Sequence, residues 1–377
     1  MATSGYKAQS EPSYCATRVS VLPLIRRNSI VSCTSSLVGL KKNFVEINEF
    51  QEDLTDATTN PSLVLAAVSK PEYAHVLQDA VDFARRRLGP ASVREQTAVA
   101  MDRALVQVGV NIARIVPGRV SVSVDPRIGY DTLAIINKSK ILVALLEELE
   151  IPRSRILIKI PATYEGICAA QALEHPSAGE PIHTNMTLIF SRVQAIACAQ
   201  AGVSVISPFI GRVKDWWDSQ GGPRSQELSQ HPGILLVRDI RSTYAAHGWG
   251  GKTHIMAAGF RAVEEIVEVG KYGVEGGPDL VTLPPHLLNG LRSRENVEPR
   301  PKFDSVPVDL AALPEYFAST CNSAQGASLY AQHIMEEKIA AVKVAEGLAK
   351  FSADAQVLED LLKRRVMEST VEVLAVL

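Results

Sequence analysis

The strongest constraint on this chain is an alternation that repeats eight times. Short runs, most of them β-branched or Leu-rich, fall at 29–32, 55–60, 119–124, 155–160, 183–190, 203–208, 254–258 and 279–283. Most are nearly continuous in apolarity, as parallel strands covered on both faces should be. Between them lie stretches of helical periodicity at 62–88, 92–116, 132–149, 164–173, 191–201, 238–247 and 261–269, and two more helices, 331–349 and 353–374, follow the last strand. The polar segment 215–232 reads as a long loop, and 302–326 as a connection across the outside of the fold. Eight strand–helix repeats predict an α/β fold, a single (β/α)8 TIM barrel with extra C-terminal helices. The competing arrangement, an open doubly wound sheet, calls for a Gly-rich phosphate turn after its first strand. The chain contains neither GxGxxG nor GxxxxGK[ST]. Arg85-Arg86-Arg87 reads as a solvated helix face rather than a phosphate site.

The length of 377 residues suits one barrel over 25–377, preceded by an extension, 1–24, expected to be poorly ordered. With 39 Lys and Arg against 41 Asp and Glu the net charge is −2, so there is no basic excess to serve a nucleic-acid or anionic-membrane partner. No apolar run approaches the roughly 20 residues of a membrane-spanning helix. Cys15, Cys33, Cys168, Cys198 and Cys321 are scattered and form no CxxC, which argues against a disulfide framework and fits a reducing, cytoplasmic setting. The histidines form no HxxxH pair, and the cysteines offer no zinc site. Residues 1–36 hold one acid, Glu11, beside Lys7, Arg18, Arg26 and Arg27; they read as an organelle transit peptide or as a ragged tail leading into the fold.

In a barrel the chemistry sits at the C-terminal ends of the strands. The polar residues there are Cys33, Asn60, Ser123 with Asp125, Lys159, Asn185 with Thr187, Ser207, and Gly259 beside Arg261. Lys159, in Arg155-Ile156-Leu157-Ile158-Lys159-Ile160-Pro161, is the most informative. An amine pushed into an apolar interior loses its proton more readily and becomes a nucleophile for carbonyl carbon. The alternative is a lysine snorkelling from a strand end. Arg212 and Arg261 each follow a strand end, either to clamp a phosphate or carboxylate or to form surface ion pairs.

Five segments then share a pattern. Thr55-Asp56-Ala57-Thr58-Thr59-Asn60-Pro61-Ser62-Leu63, Pro117-Gly118-Arg119-Val120-Ser121, the Lys159 strand, Asn185-Met186-Thr187-Leu188-Ile189-Phe190-Ser191 and Ile206-Ser207-Pro208-Phe209-Ile210-Gly211-Arg212-Val213-Lys214-Asp215-Trp216 together resemble the transaldolase family. Ala341-Val342-Lys343-Val344-Ala345-Glu346-Gly347-Leu348-Ala349-Lys350-Phe351 is similar to that family's closing helix, and the likeness runs in order from about residue 24 to 370. It implies a barrel, a Schiff-base Lys159, a ketose phosphate donor cleaved between C3 and C4, and a dihydroxyacetone unit handed to an aldose phosphate. It also implies no metal, since the iminium is the electron sink. Asn60, Asn185 and Thr187 fit the catalytic pattern; Ser207, Phe209, Arg212 and Arg261 fit the substrate-binding pattern, in which Gly259 holds a further position. Family members are often homodimers.

The departures from the pattern are as specific as the match. Val120-Ser121-Val122-Ser123-Val124-Asp125 puts Ser123 where the family carries a glutamate, and Ile30-Val31-Ser32-Cys33 puts Cys33 where it carries an aspartate. Ala258-Gly259-Phe260-Arg261 lacks the family's phosphate-contacting hydroxyl but keeps the arginine. Those two carboxylates move protons, and general acid–base help is worth about 10²–10⁴ in rate. Three readings follow. The first is altered carbonyl chemistry at Lys159 (aldol, retro-aldol or imine-based condensation) in a specialised biosynthetic pathway. The second is a working transaldolase of the pentose phosphate pathway, with acid–base work passed to Tyr130, Tyr164, Glu165 or water. The third is a non-catalytic paralogue.

Overall fold

In a computed structural model of the chain, residues 29–33, 54–177, 179–221, 227–292, 313–317 and 324–376 are described. The extension expected over 1–24 lies outside them, as does most of the connection expected over 302–326. Eight parallel strands close a barrel in chain order: β1 Ser29–Cys33, β2 Leu54–Thr58, β3 Val120–Ser123, β4 Ile156–Pro161, β5 Thr184–Ile189, β6 Val205–Pro208, β7 His254–Ala257 and β8 Leu280–Leu283. β1 closes it, pairing Cys33 with Thr58 of β2 and Ser32 with Leu283 of β8.

The two faces of each strand differ. Val120, Val122, Ile156, Ile158, Ile160, Met186, Ile206, Ile255 and Val281 belong to the large core beneath the helices, whereas Leu157, Val205, Met256 and Leu280 form a separate cluster. Side chains alternate along a strand. Lys159 therefore shares the face of Leu157, Ser207 that of Val205 and Thr282 that of Leu280. The inner face is apolar toward the N-terminal floor and polar toward the C-terminal mouth. That is why β3 reads Val-Ser-Val-Ser rather than as an unbroken apolar run.

The helices are α1 Pro61–Val68, α2 Ala74–Leu88, α3 Val93–Ala113, α4 Thr132–Glu147, α5 Tyr164–Glu174, α6 Arg192–Gln200, α7 Ile210–Ser219, α8 Pro232–Ala246, α9 Val263–Gly270, α10 Gly273–Gly276, α11 Pro285–Arg292, α12 Ala324–Glu337 and α13 Ile339–Val376. Asn60, Asp131, Thr163 and Ser191 N-cap α1, α4, α5 and α6. Each cap contributes about 1 kcal/mol and fixes where a mouth loop ends.

Several boundaries differ from the sequence reading; the helix expected over 238–247 starts already at Pro232, since proline suits the first helical position. The helix expected over 62–88 breaks at Pro71, whose missing N–H ends one helix and opens a 3₁₀ turn. The loop expected from 215 begins later, because α7 runs on to Ser219. The two final helices expected over 331–349 and 353–374 are present, but the break between them falls at Lys338, which adopts φ of 59°, so they span Ala324–Glu337 and Ile339–Val376. The triple arginine lies on the last turn of α2, where Arg86 and Arg87 are exposed, as a solvated face should be.

Candidate active site

Lys159 is 6% exposed and sits level with its neighbours: Ser123 on β3 and Asn185 on β5 are its partners in register. Its Nζ donates to the carbonyl of Thr59 at 3.4 Å, and Ser123 Oγ donates to the same oxygen at 3.3 Å. Thr59 is itself held by its Oγ1, which donates to Ser121 O at 2.9 Å. Asn185 is fully buried. Ser207 Oγ donates to its Oδ1 at 2.7 Å, and its Nδ2 donates to Ser121 Oγ at 3.1 Å. A serine–asparagine–serine chain thus spans the interior at the level of Lys159.

Thr187 stands one pleat nearer the mouth, paired with Pro161. Its Oγ1 is buried and has no hydrogen-bond partner among the described residues. Leaving a buried hydroxyl unpaired costs about 1–3 kcal/mol, so such a group is expected to await a ligand. The next residue, Leu188, has φ of 61°, and the β5–β6 register slips between Met186 and Ile189. This bulge turns Leu188 out of the sheet and into a cluster with Phe190, Phe209, Val344, Leu348 and Phe351, which seats α13 beside the mouth. No local signal in the sequence announces it, because the cause is a helix more than 150 residues downstream.

The other candidates divide. Asn60 spends its Oδ1 on the N–H of Leu63 at 2.9 Å, so its oxygen serves α1. Cys33 ends β1 at the mouth; its side chain lies outside the described residues. Arg212, on the first turn of α7, lies over Phe209 at 5.2 Å and Phe351 at 5.8 Å from their ring centroids. Burial, and then the like charge of Arg261, lower its proton affinity, against the opposing pull of Asp215 and Glu346. Arg261 is half exposed and donates to Asp215 Oδ2 at 2.7 Å. Gly211 is demanded by this approach, since a Cβ there would stand 2.5 Å from Gly259 O and 2.7 Å from Arg261 Cγ. Gly259 has φ of 69°, a conformation that suits glycine better than the serine of the family pattern.

Two carboxylates close to the missing pair are occupied, while Glu165 stands on the first turn of α5. Asp125 binds Arg127 through both oxygens, at 2.9 Å from Nε to Oδ1 and 2.6 Å from NH2 to Oδ2. Asp56 lies toward the floor and accepts the N–H of Arg119. Tyr164 packs its ring against Phe317 and Tyr330, away from the barrel interior. Tyr130 is 61% exposed, and its proton is held more tightly by partial burial and by Glu165. Among the described residues no group of three or more His, Cys, Asp or Glu is placed to hold a metal, and no helix is long and apolar enough to cross a membrane. Sequence reasoning missed Asp215, Glu265 and His231, which hold Arg261 or its backbone. The Pro232-Gly233 pair after His231 was the available signal, since Pro favours the first helical position.

The Transaldolase/Fructose-6-phosphate aldolase family matches residues 41–362, a span that starts after β1 and so leaves out Cys33. Transaldolase of Saccharomyces cerevisiae is 38% identical over 324 residues, covering 86% of this chain and 90% of its own. Transaldolase of Schizosaccharomyces pombe is 40% identical over 311 residues, covering 82% and 90%. A probable transaldolase of Drosophila melanogaster is 38% identical over 329 residues, covering 87% and 92%. The inner-face lysine, the polar chain beside it and the arginine pair therefore belong to a chain of the transaldolase/fructose-6-phosphate aldolase family.

Proposed function

We propose that Lys159 forms a Schiff base with a ketose phosphate, and that the enzyme carries this imine into retro-aldol or aldol chemistry with weakened proton transfer. The carrying observation is a buried amine on the inner face, level with Ser123 and Asn185, where the family pattern has a glutamate beside the lysine. The amine adds to the C2 carbonyl, and loss of water gives the iminium. Cleavage of C3–C4 leaves an enamine on Lys159 and releases an aldehyde as the C4 hydroxyl gives up its proton. The enamine then adds to an acceptor aldehyde, whose oxygen takes up a proton, or is itself protonated at carbon; on either branch water adds to the resulting iminium, the C–N bond breaks, and the ketone leaves with Lys159 restored as the amine. The unpaired Thr187 hydroxyl is suited to the carbinolamine oxygen or the attacking water. Asn185, fixed by Ser207 and Ser121, is suited to a substrate hydroxyl. Arg212 and Arg261 take the phosphate, with Phe209 beneath Arg212. No organic cofactor is called for, because the iminium accepts the electron pair.

Proton transfer distinguishes this chain. Ser123 stands level with the lysine and cannot act as a carboxylate at neutral pH, and Asp125 and Asp56 are bound elsewhere. Each lost acid–base group should cost on the order of 10²-fold or more in rate. A specialised carbonyl substrate follows from this reading. A working transaldolase of sugar-phosphate metabolism is the second reading, favoured by the retained Asn185, Thr187, Ser207 and arginine pair and by relatives that bear the name transaldolase.

A coupled assay of glyceraldehyde 3-phosphate release from fructose 6-phosphate and erythrose 4-phosphate separates them. Little turnover is expected of the unmodified protein, and Ser123→Glu with Cys33→Asp should raise it, the double variant being the informative one because such effects are non-additive. Turnover of the unmodified protein at an ordinary rate of about 1–10 per second would overturn the first reading and leave the second.

A further inference from the structure

A pair of buried titratable groups lies beside the mouth and takes no part in the chemistry above. His231 is 4% exposed and Glu265 is 5% exposed. His231 Nδ1 accepts the N–H groups of Gly233 at 3.1 Å and Ile234 at 3.4 Å, which caps α8. A ring nitrogen that accepts two N–H groups carries no proton, so the neutral ring keeps its proton on Nε2. Nε2 faces Glu265 Oε1 at 3.3 Å and donates to it. Glu265 Oε2 accepts the backbone N–H of Arg261 at 2.7 Å, and the N–H of Ala262 bonds the same carboxylate. Burial alone would raise the proton affinity of Glu265; the bonds from His231 and the two backbone N–H groups outweigh it and hold the carboxyl below its ordinary range.

What this carboxylate holds is the backbone of an arginine whose head faces the mouth. The turn needs holding. Gly259, two residues earlier, carries no side chain to anchor it, and the like charges of Arg212 and Arg261 push each other apart. Asp215 steadies the exposed guanidinium from α7, and Glu265 fixes the main chain from within α9. We propose that His231 and Glu265 are positioning residues that pin the β7–α9 turn, so that Arg261 meets a substrate phosphate together with Arg212. The inference rests on the reading of the two arginines as phosphate ligands.

The test is borohydride trapping of the imine, read by intact mass, with fructose 6-phosphate and separately with dihydroxyacetone, which lacks the phosphate. His231→Asn keeps a side chain able to cap α8 but too short to reach Glu265. Glu265→Gln removes the buried charge. Both should raise the half-saturating concentration of fructose 6-phosphate roughly tenfold and leave that of dihydroxyacetone unchanged. A rise for both compounds alike, or for neither, assigns the pair a structural role only and overturns the proposal. Arg261→Gln is the reference. If it leaves fructose 6-phosphate unaffected, the phosphate reading fails; if it raises the value while His231→Asn and Glu265→Gln do not, only the positioning pair fails. Should Glu265→Gln not fold, His231→Asn decides alone.

Discussion

At the floor of the barrel Glu174 accepts hydrogen bonds from the Thr184 N–H and hydroxyl, each at 2.7 Å, from the Ser204 N–H and hydroxyl at 2.8 and 2.9 Å, and lies 3.1 Å from His183 Nδ1. Toward the mouth, three residues along β5 from Thr184, the Thr187 hydroxyl is buried with no partner among the described residues. The floor is saturated elsewhere as well: Arg155 donates to the carbonyls of Ala113, Val116 and Gly118, and Asp279 takes the N–H of Ile255 and an ion pair from Arg241. Both ends bury polar groups; Glu174 at the floor is engaged through both oxygens, whereas at the mouth Asn185 is bonded on both sides and the Thr187 hydroxyl is not. Saturated networks stiffen and specify a fold, whereas unsatisfied groups cost stability and are retained where a ligand completes them. The contrast assigns stability to one end of a strand and chemistry to the other, as the barrel architecture leads one to expect.

The largest expected effect comes from the mouth. Lys159→Met should abolish carbonyl chemistry, with a loss of at least about 10³-fold, while circular dichroism and thermal unfolding show a folded barrel. Unfolding of this variant would mean that the lysine belongs to the framework, and the contrast between the ends would break.

The floor should respond in stability instead. Glu174→Gln is expected to cost about 2–4 kcal/mol, because an amide would set N–H against donors that need an acceptor. The pH dependence follows from the same bonds. Burial raises the proton affinity of Glu174, but the bonds from His183, Thr184 and Ser204 overcome it and leave the folded carboxyl below its ordinary range. Its stabilisation is therefore complete above the unfolded pKa of roughly 4.3 and is lost as the pH falls through the folded value. Urea midpoints measured from neutral to acidic pH should decline for the parent and decline less for Glu174→Gln; parallel curves would contradict the assignment.

The smallest effects sharpen the comparison most, because one isosteric change is made at each end of β5. Thr184→Val should lose about 1 kcal/mol or somewhat more, since its hydroxyl has a partner. Thr187→Val should be neutral or gain up to about 1 kcal/mol, since its hydroxyl has none, and should lower turnover. Equal losses in chemical denaturation would show that the two ends are not different in kind.

The strands and Lys159 were legible in the sequence because they rest on local period: a run of Ile-Leu-Ile-Lys-Ile states both the strand and its anomaly. Asn185, Thr187 and Ser207 were legible for the same reason, as polar residues ending apolar runs. The Leu188 bulge, the break at Lys338 and the hold of His231 and Glu265 on Arg261 were not. Each is a tertiary event whose partners lie far apart in the chain, and no periodicity encodes them. The polar stretch beginning at Asp215 resembled a loop because its helix is short and faces solvent along most of its length. Asn60 shows the converse: a polar residue at a strand end can be an N-cap first, and its sequence position does not distinguish the roles.

The central claim is that the mouth captures a carbonyl on Lys159 while lacking the carboxylate that would move protons quickly. Borohydride reduction in the presence of fructose 6-phosphate, followed by peptide mapping, tests it most directly. The account predicts a covalent adduct on the peptide that carries Lys159, formed by a protein whose turnover of the same sugar phosphate is low. An adduct on another lysine, or none at any accessible concentration, would contradict it.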